Sequence, residues 1–563
     1  MMKNNIVKQF KNTFLLYAMA ALAGMTACTG NFEGINTNPN GMEPSQVKIT
    51  SRFNQPIIGV YNNYQNINDE FMLQQNLNAD MYSGYITTNS AFNGNSNNSH
   101  YAMVDRWNNE AFRDGMLYVM TPISQILKLT EDKDYTAIAK IIRVMGIHRV
   151  TDIYGPIPYS KAMQGGASVP YDSQESIYMA FLAELDQAIK ELTDFVDSGQ
   201  ALPSRISEFD IVCRADHKQW IRFANTLRLR LAMRLAVVKP DVAKTNAEAA
   251  VSHKYGVLAA GNPNVEVIDA TVMNPLNECT MGYNDMRAGA SIVCMLKGYN
   301  DPRLSVYITP IGWFKIGGHE QDIIDKNGKE TGNKGKYIGI RQGAVVDKGI
   351  YQVYSTANLS LSTKMADYTG NKTQLSNHLP WMKVAEAYFL RAEGALRGWN
   401  MGGSAKELYE QGIQVSFDEY AIPASEYAKY IENSTDICAD YEDPHEPSYN
   451  MKGIDKCTVK WDEAASREEK LHRIINQKWI AMYPEGQEAW SEFRRTGFPK
   501  LFPVAVNKSA GEWKIPDGEF IKRLPFPKNE KDANAEEVAK AVSLLNGTDS
   551  PATRLWWDTG KNF

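Results

Sequence analysis

The chain is poor in cysteine, with six in 563 residues. Cys28, Cys213, Cys279, Cys294, Cys438 and Cys457 include no CxxC pair and no Cys–His spacing of the zinc-finger kind, so spacing supports neither a structural metal site nor a thioredoxin-type pair. No charge sign dominates. The 60 Lys+Arg face 65 Asp+Glu, which leaves no basic field for a nucleic acid. No apolar run reaches the ~20 residues of a membrane-spanning helix. GxSxG, HExxH, P-loop and dinucleotide fingerprints are all missing, and the eight His are scattered without helical pairing. No metal, cofactor or catalytic constellation is therefore expected. What the chain does have is aromatic and amide surface: 28 Tyr, 11 Trp and frequent Asn pairs within an ordinary globular composition that is 43% hydrophobic. Its length suits several domains or one large helical body.

The N-terminus carries a compartment signal. Lys3, Lys8 and Lys11 precede an apolar run from Phe14 to Gly24, which has the build of a secretory signal rather than a membrane span. It ends in Met25-Thr26-Ala27-Cys28. Small residues before a Cys resemble a bacterial lipobox, with Cys28 as the lipidated residue; a plain signal peptide with an incidental Cys is the alternative. Residues 1–27 then form a lipoprotein signal, and 28–563 the mature chain. More than one acyl chain on Cys28 would anchor it stably. Of the remaining cysteines, Cys438 and Cys457 bracket a polar loop. They are candidates for a disulfide, with buried free thiols as the alternative.

Helical periodicity dominates the mature chain. Ile177, Phe181, Leu185, Ala188, Ile189 and Leu192 share one stripe, as do Trp220, Phe223, Ala224, Leu227, Leu231 and Leu235. Two short stripes, Trp381 to Leu396 and Ala405 to Ser416, are separated by a break from Gly398 to Gly403. They predict a tetratricopeptide-like hairpin over 381–416. A late helix from Leu471 to Met482 stops before Pro484. The fold class is mainly α, with a loop-rich insertion of short strands over about 256–370 and an irregular Asn-rich tract over 82–109. Arg222, Arg228, Arg230 and Arg234 read as an ion-paired helix face. Asp440, Glu442, Asp443, His445 and Glu446 read as a solvated acidic loop. Asp322, Asp325, Asn327 and Gly328 faintly resemble a calcium loop, with the glycine too early for an EF-hand; a turn is the simpler reading.

Carbohydrate binding is the chemistry this composition fits. A sugar ring offers apolar C–H faces that stack on Tyr or Trp, and hydroxyls that pair with Asn, Asp or Arg. Trp107 and Trp313 are the candidate platforms, supported by Tyr85, Tyr101, Tyr283 and Arg287. The competing expectation is that these are ordinary loops with rings folded into the core.

Several ordered segments resemble the SusD/RagB family of Bacteroidota outer-membrane lipoproteins. They are Ile35-Asn-Thr-Asn-Pro-Asn40, the turn Asp152-Ile-Tyr-Gly-Pro-Ile-Pro-Tyr159, Leu227 to Leu235 and Ala385 to Glu393. Ile475-Asn-Gln-Lys-Trp-Ile480, Trp490 to Pro499 and Arg523-Leu-Pro-Phe-Pro527 complete the series. The resemblance implies one SusD-like domain over 28–563, a helical scaffold with tetratricopeptide hairpins and a ligand-facing loop half. It further implies a non-catalytic, lipid-anchored outer-membrane protein facing the cell exterior. Such a protein binds oligo- or polysaccharide and passes it to a SusC-like TonB-dependent transporter. A glycoside hydrolase and a transporter lid with little glycan contact are the alternatives.

Overall fold

The computed structural model describes residues 47–61, 68–166, 168–268, 274–312, 315–316, 319–320, 332–347, 354–358 and 378–563. Cys28, Trp313 and the Asp322–Gly328 segment lie outside them. Arg52–Phe563 form one compact unit; of the other, Met1–Ser51, residues 47–51 are described, with a turn closed by the Ser51 N–H on the Lys48 carbonyl (3.1 Å).

The principal helices are α1 (Asp105–Asp114), α2 (Lys133–Tyr154), α3 (Gln174–Asp197), α4 (His217–Arg234), α5 (Pro240–Ser252), α6 (Val384–Leu396), α7 (Ala405–Glu419), α8 (Arg467–Met482) and α9 (Gly486–Thr496). Helix α2 packs on α3, α3 on α4 and α4 on α5, while α6 packs on α7, α4 and α8. The observed stripes match the expected ones. In α3 the residues Ile177, Phe181, Leu185, Ala188, Ile189 and Leu192 are buried, and in α4 Trp220, Phe223, Ala224, Leu227 and Leu231 are fully covered. Helix α2 is buried on nearly every side from Ala137 onward, as expected of a central helix with apolar residues all round.

The expected hairpin is α6 and α7. Helix α7 starts at a capping box, in which the Ser404 hydroxyl takes the Glu407 N–H and the Glu407 carboxylate takes the Ser404 N–H. The two helices approach closely because Gly412 has no side chain: a Cβ there would lie 2.8 Å from the Phe389 ring. Trp381 and Met382, the start of the sequence stripe, belong instead to a strand. Helix α8 opens on a second capping box, Ser466 with Glu469.

The strands are short: β1 (Ile86–Thr88), β2 (Val265–Ile268), β3 (Met286–Ala288), β4 (Ile308–Thr309), β5 (Lys315–Ile316), β6 (His319–Glu320), β7 (Thr356–Ala357) and β8 (His378–Met382). Among the described residues they form four antiparallel two-stranded ladders, β1–β3, β2–β8, β4–β7 and β5–β6. Tyr337 to Ile340, read from sequence as a β-like run, contributes one parallel bridge, Gly289 to Ile340.

The arginine run of α4 is ion-paired as expected, and its Arg230 and Arg234 are also buried. Arg230 is bidentate on Glu386 (both 2.7 Å), Arg234 binds Glu488 (2.5 Å) and Glu492, and Lys478 of α8 lies 3.3 Å from Glu492. Arg495 of α9 bridges Glu492 (2.7 Å) and Glu393 of α6 (2.6 Å). Burial opposes ionisation of Glu492, but Arg495, Lys478 and Arg234 outweigh it and hold the carboxyl well below its usual range. This network ties α4, α6, α8 and α9 together.

Candidate functional site

The turn after α2 shows what the most specific sequence segment does. The Asp152 carboxylate accepts the Tyr178 hydroxyl (2.5 Å) and the Trp557 indole N–H (3.0 Å), and it faces Arg234 (3.5 Å). Gly155 adopts φ +83°, and a Cβ there would crowd Leu555 (3.2 Å) and Leu545 (3.3 Å). The Tyr154 carbonyl accepts Arg523 through Nε (3.1 Å) and Nη2 (2.9 Å), and the Tyr154 hydroxyl donates to the Asn108 carbonyl (2.5 Å). The segment fastens the central helix to the C-terminal chain, and its side chains are committed to that task.

The loop half is organised around the β1–β3 ladder, with Ile86 opposite Ala288 and Thr88 opposite Met286. The Asn89 N–H (3.2 Å) and the Thr88 hydroxyl (2.9 Å) both reach the Asp285 carbonyl, and the Ser90 hydroxyl donates to the Asp285 carboxylate. These bonds extend the ladder and place the 91–96 tip and Tyr283 at the same end of it. Asn95 then clamps the tip to the insertion. Its amide donates to the Val346 carbonyl (3.0 Å) and accepts the Val346 N–H (2.9 Å). Asn98 links Asn78 (2.7 Å), Asn108 (3.0 Å) and the Val104 N–H (2.8 Å). Asn95, Asn97, Asn98 and Asn108 are thus buried internal struts, while Asn89 is buried and holds the ladder through its backbone N–H.

Four of the six sequence candidates fall inside this scaffold. Tyr85 is fully buried between Trp479 and Tyr483, and its hydroxyl donates to the Trp479 carbonyl. Tyr101 is buried and meets Tyr82 at 6.4 Å. Trp107 lies on α1, not in an aperiodic loop, and is 7% exposed with Phe92 edge-on against it at 5.5 Å. Arg287 is buried in β3, donating to the Met286 carbonyl (2.7 Å) and the Asn284 side chain (2.6 Å); burial brings its guanidinium down to about 9. All four are buried; a ring or guanidinium in an irregular segment serves equally well as packing. Tyr283 alone among the described candidates is open to solvent, at 39%. Sequence reasoning missed Phe92, half-buried at the tip beside exposed Asn93 and Ser96, because its neighbour Trp107 was the more conspicuous ring.

A polar depression of about 390 Å³ lies between Lys336 and Tyr337 of the insertion and Asp440, Glu442 and Asn450. The acidic loop forms one wall. Within it Asp440 is held below the usual carboxylate range by Lys452 (2.6 Å) and the Gly453 N–H, and buried Asp443 accepts the Tyr441 and Tyr354 hydroxyls.

All five described cysteines are free, so Cys438 and Cys457 form no disulfide; each thiol instead donates to the carbonyl of the following residue. Asp455, Cys457 and His472 do bring ligand atoms within 4.8 Å of one another. The Asp455 carboxylate, however, already accepts His472 Nε2 (2.8 Å), the Lys500 N–H (2.8 Å), the Cys457 N–H (3.0 Å) and the Asn476 amide (3.2 Å). These bonds make Asp455 the centre of a structural node.

The family model described as SusD-like, SusD and RagB outer membrane lipoprotein, matches residues 31–558. A solved chitin-binding SusD homologue from Flavobacterium johnsoniae is 39% identical, with a TM-score of 0.82 over 92% of this chain and 100% of its own. A SusD homologue from Bacteroides vulgatus is 33% identical (TM-score 0.79, covering 91% and 98%), and a SusD-like protein from Bacteroides thetaiotaomicron 30% (0.78, covering 92% and 99%). No functionally curated protein matches. Among the described residues no helix is long and apolar enough to cross a membrane. With the family model spanning nearly its whole length and homologues of the same fold end to end, the chain belongs to the SusD-like family of outer-membrane lipoproteins.

Proposed function

We propose that this protein is a lipid-anchored glycan-binding protein on the cell exterior. It captures an oligosaccharide of the chitin type on its loop half and hands it to a partner TonB-dependent transporter without breaking a bond. The single observation that carries this reading is its 39% identity, over 92% of the chain, to a protein described as chitin-binding. The ladder end with Tyr283, Phe92, Asn93 and Ser96 supplies the matching chemistry: two accessible rings for the apolar faces of N-acetylglucosamine, and amide and hydroxyl groups for its polar edge. Trp313, outside the described residues, stays a candidate platform, and Cys28 the anchor.

Hydrolysis is the competing reading, and the carboxyl groups argue against it. A glycosidase needs a carboxylic acid held protonated near neutral pH at the substrate. Asp80 is pushed up to about 6 and Glu485 to about 8, both by burial, yet both sit in the core at 1% and 6% exposure. Asp440, at the open depression, is shifted the other way.

The test is calorimetric titration of the soluble mature chain with chitotetraose, alongside cellotetraose and maltotetraose, followed by chromatography of the recovered sugar. The reading predicts selective micromolar-to-millimolar binding, little salt dependence and intact tetrasaccharide. New reducing ends that track with the protein would overturn it, as would the absence of binding to any member of the panel.

A further inference from the structure

A cleft of about 560 Å³ opens between α9 and the C-terminal chain. Its size is that of a small-molecule pocket. Phe493 and Phe520 form an apolar wall, edge-to-face at 4.9 Å. Arg494, Lys522 and Arg554 also line it.

The cations of this cleft are unequally neutralised. Arg495 is matched by Glu393 and Glu492, and Arg554 by Asp558 (2.5 Å). Arg494 is 3% exposed and has no carboxylate within ion-pairing distance among the described residues. Its donors go to the carbonyls of Trp490 (3.2 Å), Asp152 (2.6 Å) and Lys522 (2.9 Å) and to the Ser491 hydroxyl (3.0 Å), while its plane covers Trp490 at 3.5 Å. Burial brings this guanidinium down to about 9. The Lys522 side chain is 14% exposed; among the described residues its ammonium makes no hydrogen bond, and the acid within ion-pairing distance is Glu519 at 3.9 Å, itself 59% exposed. Burial, with the neighbouring Arg554, disfavours its charge and outweighs the opposite pull of Asp558 and Glu519. Asp558 and the exposed Glu519 offset part of the positive charge of this cluster, and in a partly desolvated cleft a bound anion offsets more of it.

We propose that this cleft is a binding site for a small anionic sugar, its carboxylate held at Lys522 beside Arg494 and Arg554 and its ring lying against Phe520. The proposal goes beyond the chitin-type face and stands whether or not that face binds.

The experiment is calorimetric titration of the soluble mature chain with D-glucuronate, with glucose and with sodium sulfate at matched ionic strength. Melting is followed for each protein. Glucuronate binds, glucose does not, and sulfate binds at least tenfold more weakly because it lacks the ring. Lys522→Gln weakens glucuronate about tenfold or more, the loss of one charge-assisted contact, while Lys522→Arg retains it. Saturating glucuronate leaves chitotetraose titration unchanged, which separates this site from the loop face. Three results would overturn the proposal: glucuronate no tighter than glucose, sulfate as tight as glucuronate (a free-anion pocket only), or unaltered glucuronate affinity in a Lys522→Gln protein that melts like wild type.

Discussion

Tyr283 and Trp107 are both aromatic residues in segments rich in Asn, yet one is 39% exposed and the other 7%. The residue scale is where sequence reading was weakest. Composition says that a ring is available, whereas burial depends on which distant chain covers it, and Tyr85 is covered by Trp479 and Tyr483 from nearly 400 residues away. Opposite outcomes are expected for the two rings. Tyr283→Ala weakens chitotetraose binding several-fold with an unchanged melting transition. Trp107→Ala costs about 3–5 kcal/mol of stability. Denaturant unfolding and calorimetry on the same preparations check both. A second residue-level consequence concerns pH. Burial, reinforced by Arg230, lowers the His148 imidazole from about 6.5 to about 3. Between those values the unfolded chain takes up a proton that the native state refuses, so this group removes stability as pH falls from about 6.5 toward 3. His148→Gln keeps a neutral donor for the Val144 carbonyl, and should flatten the decline of Tm with acidity over that window relative to wild type.

Helices were legible where periodicity, caps and breaks agreed. The 381–416 pair was readable because two apolar stripes flank a glycine-rich gap and Ser404 stands three residues before Glu407. Short strands were expected over 256–370, where β2, β3, β4, β5, β6 and β7 lie, but their pairing was not readable: two- to five-residue ladders between segments as distant as β2 and β8 leave no period to detect. The arginine run of α4 was recognised as ion-paired, but its burial was invisible, because its partners Glu386, Glu488 and Glu492 come from helices far along the chain. That burial sets the energetics. Arg234→Met leaves Glu488, Glu492 and Asp152 short of a cation inside the core and should cost about 3–5 kcal/mol in chemical denaturation, far more than an exposed ion pair. A loss below about 1 kcal/mol would mean that water enters the α4–α9 interface.

For the whole molecule, the sequence segments that revealed the family are those that fasten helix to helix, such as Asp152 to Tyr159 and Trp490 to Pro499, and they carry little about the ligand. Attachment is a separate matter from folding. Replacing Cys28 by Ala should move the protein from the membrane fraction to the soluble one without altering its glycan affinity; a variant that still sediments after a salt wash places the anchor elsewhere. The central claim is non-catalytic capture of glycan by the loop half, and the most direct measurement is titration of soluble wild-type and Tyr283→Ala protein with chitotetraose, with the sugar recovered and sized afterward. Saturable binding by wild type, weaker binding by an equally stable Tyr283→Ala and full recovery of intact tetrasaccharide is the predicted result. Equal affinity of the two proteins would contradict the assigned face, and shortened sugar would contradict the assigned chemistry.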